Sequence, residues 1–321
     1  MRHHHPHPLL SRRDLVRAAS GVVAASVAGG CQANQVAQQA APSSKRVQRP
    51  AFDADRAWKH LLAQCDFGPR PLGTPAHRKT RDWLLEQMAS VAQRTAAQDF
   101  TYSGMPLTNV IGVFNPDAKR QVLLCAHWDT RPIADMEIDP AKARKPILGA
   151  NDGASGVAVL LELGRLFKLQ TPPVSVVIVL FDGEDYGDFQ QDKGVFLGSR
   201  HFARNQMGFK PRFGILLDMV GDKNLDIYRE RYSEIYAPDI NRKVFRIAAE
   251  LGFGKYLINT LKHYIEDDHI PLNRVGIPTI NLIDFDYGPW HTLDDVPSNC
   301  SAESLRIVGE TVAEVIYRET A

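Results

Sequence analysis

The chain has 321 residues, enough for one large domain or two small ones. Its 38 basic and 37 acidic side chains leave a net charge of +1, which argues against nucleic acid or an anionic surface as the main partner. Its four cysteines, Cys31, Cys65, Cys125 and Cys300, form no C-x-x-C pair, which argues against a cysteine zinc site.

The first thirty residues read as an address, not as fold. Ser11, Arg12, Arg13, Asp14, Leu15 and Val16 form a twin-arginine pattern, followed by a small-residue, moderately apolar stretch over 18–30. That stretch is too short and too rich in Ala and Gly for a good membrane span. Cys31 follows Ala28, Gly29 and Gly30, which resembles a bacterial lipoprotein cleavage site and makes Cys31 the candidate lipidated residue. A twin-arginine export signal implies a bacterial protein, periplasmic or anchored to the membrane through that lipid alone. The cluster His3, His4, His5 and His7 reads as a tag or part of a disposable leader. Residues 31–51, rich in Gln, Ala, Ser and Pro, read as a flexible tether. A single domain is expected over 52–321.

That domain opens with a predicted helix over 53–64, with Trp58, Leu61 and Leu62 on one face. Pro and Gly density makes 67–75 a loop, and a second helix follows over 76–91. Strands are expected at 98–102 and 107–114, as neighbours, and at 122–126, where Cys125 is a small core residue. The last of these ends at His127, Trp128 and Asp129. Residues 130–148 form a long loop with three prolines, Pro132, Pro140 and Pro146; loops of this length are usually functional or disordered. Gly149 to Gly156 is a glycine-marked turn carrying Asp152, and it leads into a helix whose buried face includes Val157, Leu160 and Leu161.

Residues 174–181 are almost wholly apolar and rich in β-branched side chains, the pattern of a strand buried on both faces of a parallel sheet. This strand ends abruptly in Asp182, Gly183, Glu184 and Asp185. A helix is expected over 198–205, a strand over 212–220 carrying Asp218, a helix over 240–251, a short turn or helix from Asp267, a last strand over 278–283 and a closing helix. Pro289, Trp290, His291 and Thr292 lie just beyond the last strand. Strands alternating with helices predict an α/β fold, a three-layer α/β/α sandwich around a mostly parallel mixed sheet. Ser155 and Ser199 read as turn or capping serines. A Cys65–Cys300 disulfide is compatible with an oxidising compartment, and the sequence does not decide it.

His127, Asp152, Asp185, Asp218 and His291 each sit at a strand end or a glycine-marked turn. In open α/β sheets such ends converge on one edge, where ligands bind. Each residue alone has an ordinary structural explanation as a cap or a satisfied polar group. Together, two imidazoles and several carboxylates suit zinc.

These motifs resemble the zinc aminopeptidase superfamily with a co-catalytic metal site. Within it, the runs 182–185, 265–271 and 290–295 are similar to the glutaminyl-peptide cyclotransferases, and the similarity spans about residue 67 to the C-terminus. The resemblance implies a zinc-aminopeptidase-like fold and the cyclisation of N-terminal glutamine of peptides and proteins to pyroglutamate, with release of ammonia. It implies that Asp152, Asp185 and His291 hold one zinc. Glu184 would be the general acid/base, Asp218 and Asp267 an acid pair hydrogen-bonded with it, and Trp290 a wall of the pocket. Asp185 stands where the animal enzymes carry Glu, and Asn281 where they carry His. The rival implied by the wider superfamily is an aminopeptidase with two zinc ions, the second held by His127 and Asp218. A non-catalytic binding domain of the same fold would be expected to lose ligands or the acid, and all are present.

Overall fold

A computed structural model describes residues 48–320. The elements are α1 (Ala54–Asp66), α2 (Pro75–Val91), β1 (Arg94–Tyr102), β2 (Met105–Phe114), β3 (Gln121–His127), α3 (Pro140–Ala143), α4 (Ser155–Leu169), β4 (Ser175–Phe181), α5 (Leu197–Arg204) and β5 (Gly214–Asp218). Then come β6 (Ile227–Arg229), α6 (Arg231–Tyr236), α7 (Pro238–Glu250), β7 (Leu257–Leu261), α8 (His269–Arg274), β8 (Thr279–Ile283), a 3-10 turn (Pro297–Asn299) and α9 (Ala302–Tyr317). The leader, Cys31 and most of the tether lie outside the described residues.

Six strands form one mixed sheet in the order β1-β2-β4-β3-β5-β8. β1 pairs antiparallel with β2, and β2 antiparallel with β4. The pairs β4/β3, β3/β5 and β5/β8 are parallel. β4 therefore lies between one antiparallel and one parallel neighbour, not inside a purely parallel sheet. Its continuous apolar run has a physical reason, because successive side chains point to opposite faces. Val176, Ile178 and Leu180 enter the core with Leu61, Leu84, Met88, Leu160 and Val308. Val177, Val179 and Phe181 enter the opposite core with Phe202 and Leu272. Both faces are covered, so alternation is lost.

The first two helices start at capping residues. Asp53 caps α1, its carboxylate accepting from Arg56 N. Thr74 caps α2, with Pro75 in the first turn. β1 begins at Arg94, earlier than its polar sequence suggests, because the whole length of β2 offers it partners. Elements the sequence does not mark are β6 and β7, which form a separate parallel pair, α6 between them, the short α3 inside the expected 130–148 loop, and the 3-10 turn. Cys65, Cys125 and Cys300 are buried free thiols, so the Cys65–Cys300 disulfide is not formed. No described helix is long and apolar enough to cross a membrane.

Candidate active site

The C-terminal ends of the parallel strands deliver the chemistry. His127 is the last residue of β3, Glu184 and Asp185 follow β4, Asp218 ends β5, and His291 follows β8. His127, Asp152, Glu184, Asp185, Asp218, Asp267 and His291 are all buried. Buried charge demands pairing or metal.

Asp152 is the centre. Its Oδ1 lies 3.1 Å from His127 Nε2, and its Oδ2 lies 3.6 Å from His291 Nε2. His127 Nε2 is also 3.2 Å from Asp218 Oδ1, and His291 Nε2 is 3.4 Å from Asp185 Oδ1. Two donor groups result, His127–Asp152–Asp218 and Asp152–Asp185–His291, each with its ligand atoms within 4.8 Å of one another. Oδ2 of Asp152 and Oδ2 of Asp185 are buried without a hydrogen-bond partner among the described residues. Orphaned buried carboxylate oxygens among imidazole nitrogens fit a divalent cation, and this N/O donor set fits zinc.

The loops that carry these residues are stitched down. The Asp295 carboxylate accepts from Asn151 N at 2.8 Å and Asp152 N at 3.2 Å, and Tyr287 Oη donates to it at 2.9 Å. Asn151 Oδ1 accepts from Gly221 N, and Ser155 Oγ accepts from Val220 N, tying the Asp152 turn to the end of β5. Ser155 is thus the turn serine expected, and Ser199, in the first turn of α5, bonds the Phe196 carbonyl and also donates to buried Asp268. The Asp129 carboxylate accepts from Glu184 N at 3.0 Å and Asp185 N at 3.2 Å. Asp182 carries no ligand role: it pairs with His77 Nε2 at 2.8 Å and accepts from Thr108 N. His291 holds φ at 56°, a left-handed conformation rare for a non-glycine residue. Such strain concentrates at functional sites. Trp290 stacks on the His291 ring with centroids 3.7 Å apart.

Electrostatics separate the acids. Burial raises the Glu184 carboxyl well above the usual range; His127 opposes this, and Asp185 and Asp267 add to it. Asp267 is pushed up to about 7, first by burial and then by Asp218. Asp218 is raised by burial, against the pull of His127. Burial works against the His127 imidazolium, but Asp129, Asp152 and Asp218 outweigh it and raise its pKa. Among the described residues no hydrogen bond joins Glu184, Asp218 and Asp267. Asp267 is instead held by Asn281 Nδ2 at 2.6 Å and by Asp268 N at 2.5 Å. Asn281 thus has a clear task, orienting Asp267 toward the other acids.

Sequence reasoning missed Arg131 and Asp135, which lie in the long loop, and buried Arg70, which binds the carbonyls of Trp128, Leu148 and Gly149 and braces that loop. None of the three lies in a recognisable motif. Asp129 and Asp295 did lie in motifs, but their roles depend on backbone amides that only the fold brings near.

The sequence pattern of peptidase family M28 matches residues 109–316. A solved structure of Bacteroides thetaiotaomicron glutaminyl cyclase bound to N-acetylhistamine is 40% identical, with a TM-score of 0.81 covering 85% of this chain and 100% of that one. Another from Bacteroides thetaiotaomicron, described as a leucine aminopeptidase precursor, is 41% identical, with a TM-score of 0.82 over 85% of this chain and 100% of that one. The glutaminyl-peptide cyclotransferase of Bos taurus is 28% identical over 267 residues, 71% of this chain and 70% of its own length. With the mixed sheet, the strand-end donor groups and these likenesses in agreement, the chain belongs to peptidase family M28, in its glutaminyl-peptide cyclotransferase branch.

Proposed function

We infer that this protein is a glutaminyl-peptide cyclotransferase acting on peptides and proteins with N-terminal glutamine. The observation that carries the reading is the intact acid Glu184 beside the Asp152–Asp185–His291 group, in a chain 40% identical to a glutaminyl cyclase over 85% of its length.

In the reaction, the α-amine nitrogen attacks the side-chain amide carbon, a five-membered lactam closes, the amide C–N bond breaks and ammonia leaves. Asp152, Asp185 and His291 would hold one zinc ion, which when bound supplies Lewis-acid polarisation of the amide oxygen. Glu184 takes the proton from the attacking amine and delivers it to the leaving nitrogen. A carboxyl raised by burial and neighbouring acids is suited to both halves of that transfer. Asp267 and Asp185 hold the proton affinity of Glu184 high, and Asp218 acts on Asp267 in the same direction. Trp290 walls the pocket and brings amine and carbonyl together, where proximity lowers the barrier.

One ion is favoured over two because the His127 half is less well supported. His127 Nδ1 lies 3.7 Å from Asp129 and 3.9 Å from Glu184, beyond hydrogen-bond reach, whereas His291 Nδ1 lies 3.0 Å from Asp135 Oδ1. The presence of the His127–Asp152–Asp218 group favours the second reading, a two-zinc aminopeptidase in which Glu184 activates water. The twin-arginine pattern and Cys31 support export, with the enzyme in the periplasm or tethered to the membrane by lipid.

Glu184→Gln tests the chemistry. The variant should bind zinc like the parent and release ammonia from a Gln-peptide about 100-fold or more slowly, the usual scale for a lost general acid/base. Near-parent turnover would remove Glu184 from the mechanism.

A further inference from the structure

The long loop between β3 and α4 holds two charged residues that reach back to the Asp152–Asp185–His291 group from outside. Arg131 is buried. Its Nη1 donates to Asp185 Oδ1 at 3.0 Å and to the carbonyls of Asp185 and Gly187, each at 3.3 Å. Its Nε and Nη2 donate to the two oxygens of Asp135 at 2.9 and 2.7 Å, a bidentate fork. Its guanidinium also lies over the Phe189 ring, 5.1 Å from the centroid. Asp135 Oδ1 in turn lies 3.0 Å from His291 Nδ1. That contact is bent away from a linear hydrogen bond, and among the described residues Nδ1 has no other partner.

We propose that Arg131 and Asp135 are positioning residues that preset both Asp185 and His291 for the metal. The proposal rests on the ligand assignment above. Two atoms carry it. If His291 Nε2 takes the metal, Nδ1 must bear the proton, and a buried N–H needs an acceptor. Asp135 is the carboxylate standing there. Likewise, Arg131 donates to Asp185 Oδ1, the oxygen 3.4 Å from His291 Nε2, and so fixes the orientation of that carboxylate toward the group. One arginine thereby links the partner of one ligand to the other ligand. The backbone reinforces the link, since Met136 N donates to His291 O at 3.2 Å. Among the described residues the His127 half has no counterpart: its Nδ1 is not within hydrogen-bond distance of an acceptor.

Metal-free protein is titrated with zinc against a chromophoric chelator, in the parent and in Asp135→Ala, Asp135→Asn and Arg131→Lys. Lysine keeps the charge but cannot form the fork. Asp135→Ala and Arg131→Lys should each weaken zinc binding by roughly 10–100-fold, the usual effect of losing a ligand's outer partner. Asp135→Asn, which keeps an acceptor, should lose less. The metal-free melting temperatures should stay close to that of the parent. Zinc affinity within twofold of the parent in both Asp135→Ala and Arg131→Lys would overturn the proposal. So would affinity losses that appear only together with loss of the metal-free fold, which would make the pair a structural brace. His291→Ala is the control for the underlying reading: if its zinc affinity is unchanged, the ligand assignment itself fails.

Discussion

Asp152 shows how much a single side chain can carry. Its two oxygens face two different histidines, so both candidate metal positions share it. Asp295 fixes it through its backbone rather than its carboxylate, leaving both oxygens for ligands. Trp290 is the other residue on which the reading depends at this scale. Stacked on His291, it covers one side of a candidate metal ligand and offers a flat apolar wall. Trp290→Ala should retain zinc and lose roughly tenfold in kcat/KM, the scale of a single aromatic contact of about 1.4 kcal/mol. Steady-state kinetics with a Gln-peptide measures this, and an unchanged kcat/KM would remove Trp290 from the pocket. The candidate ligands were legible because each ends a strand or lies in a glycine-marked turn. Arg131, Asp135 and Arg70 were not, because nothing local marks a loop residue whose partners lie across the fold.

Between elements, the site depends on how closely α4 approaches β5. Gly156, in the first turn of α4, makes that approach possible: a Cβ there would stand 2.2 Å from Leu217 O and 3.0 Å from Ala126 Cβ. Backbone cannot yield to such a contact as a flexible side chain would. Gly156→Ala should therefore lift the start of α4 from the sheet, cost about 1–3 kcal/mol of stability and separate Asp152 from Asp218. The melting temperature should fall by several degrees and zinc affinity with it. Parent-like values for both would mean that the helix sits less tightly than described. Long periodic helices and two-faced apolar strands were readable from the sequence. β6, of three residues, was not, because its strand character comes from pairing with β7 rather than from its own composition. The direction of β2 beside β4 also escaped the sequence, since an apolar run buried on both faces says nothing of its neighbours' polarity.

For the whole molecule, the catalytic fold is closed at its N-terminal end by the chain just before α1. Within the span read as tether, Arg49 buries its side chain and pairs with Glu310 at 2.5 Å and Glu314 at 3.0 Å on α9. Phe52 packs against Gly309, where a Cβ would approach its ring to 2.2 Å. The two ends of the fold thus hold each other, and the site lies at the strand ends of a sheet covered on both faces. What this molecule does with that site is settled by its products. The purified protein should be incubated with zinc and two peptides, one beginning with Gln and one with Leu, and followed by mass spectrometry. The account predicts loss of ammonia from the Gln-peptide while the Leu-peptide stays intact. Release of free leucine would contradict it and would assign His127 and Asp218 to a second metal in an aminopeptidase.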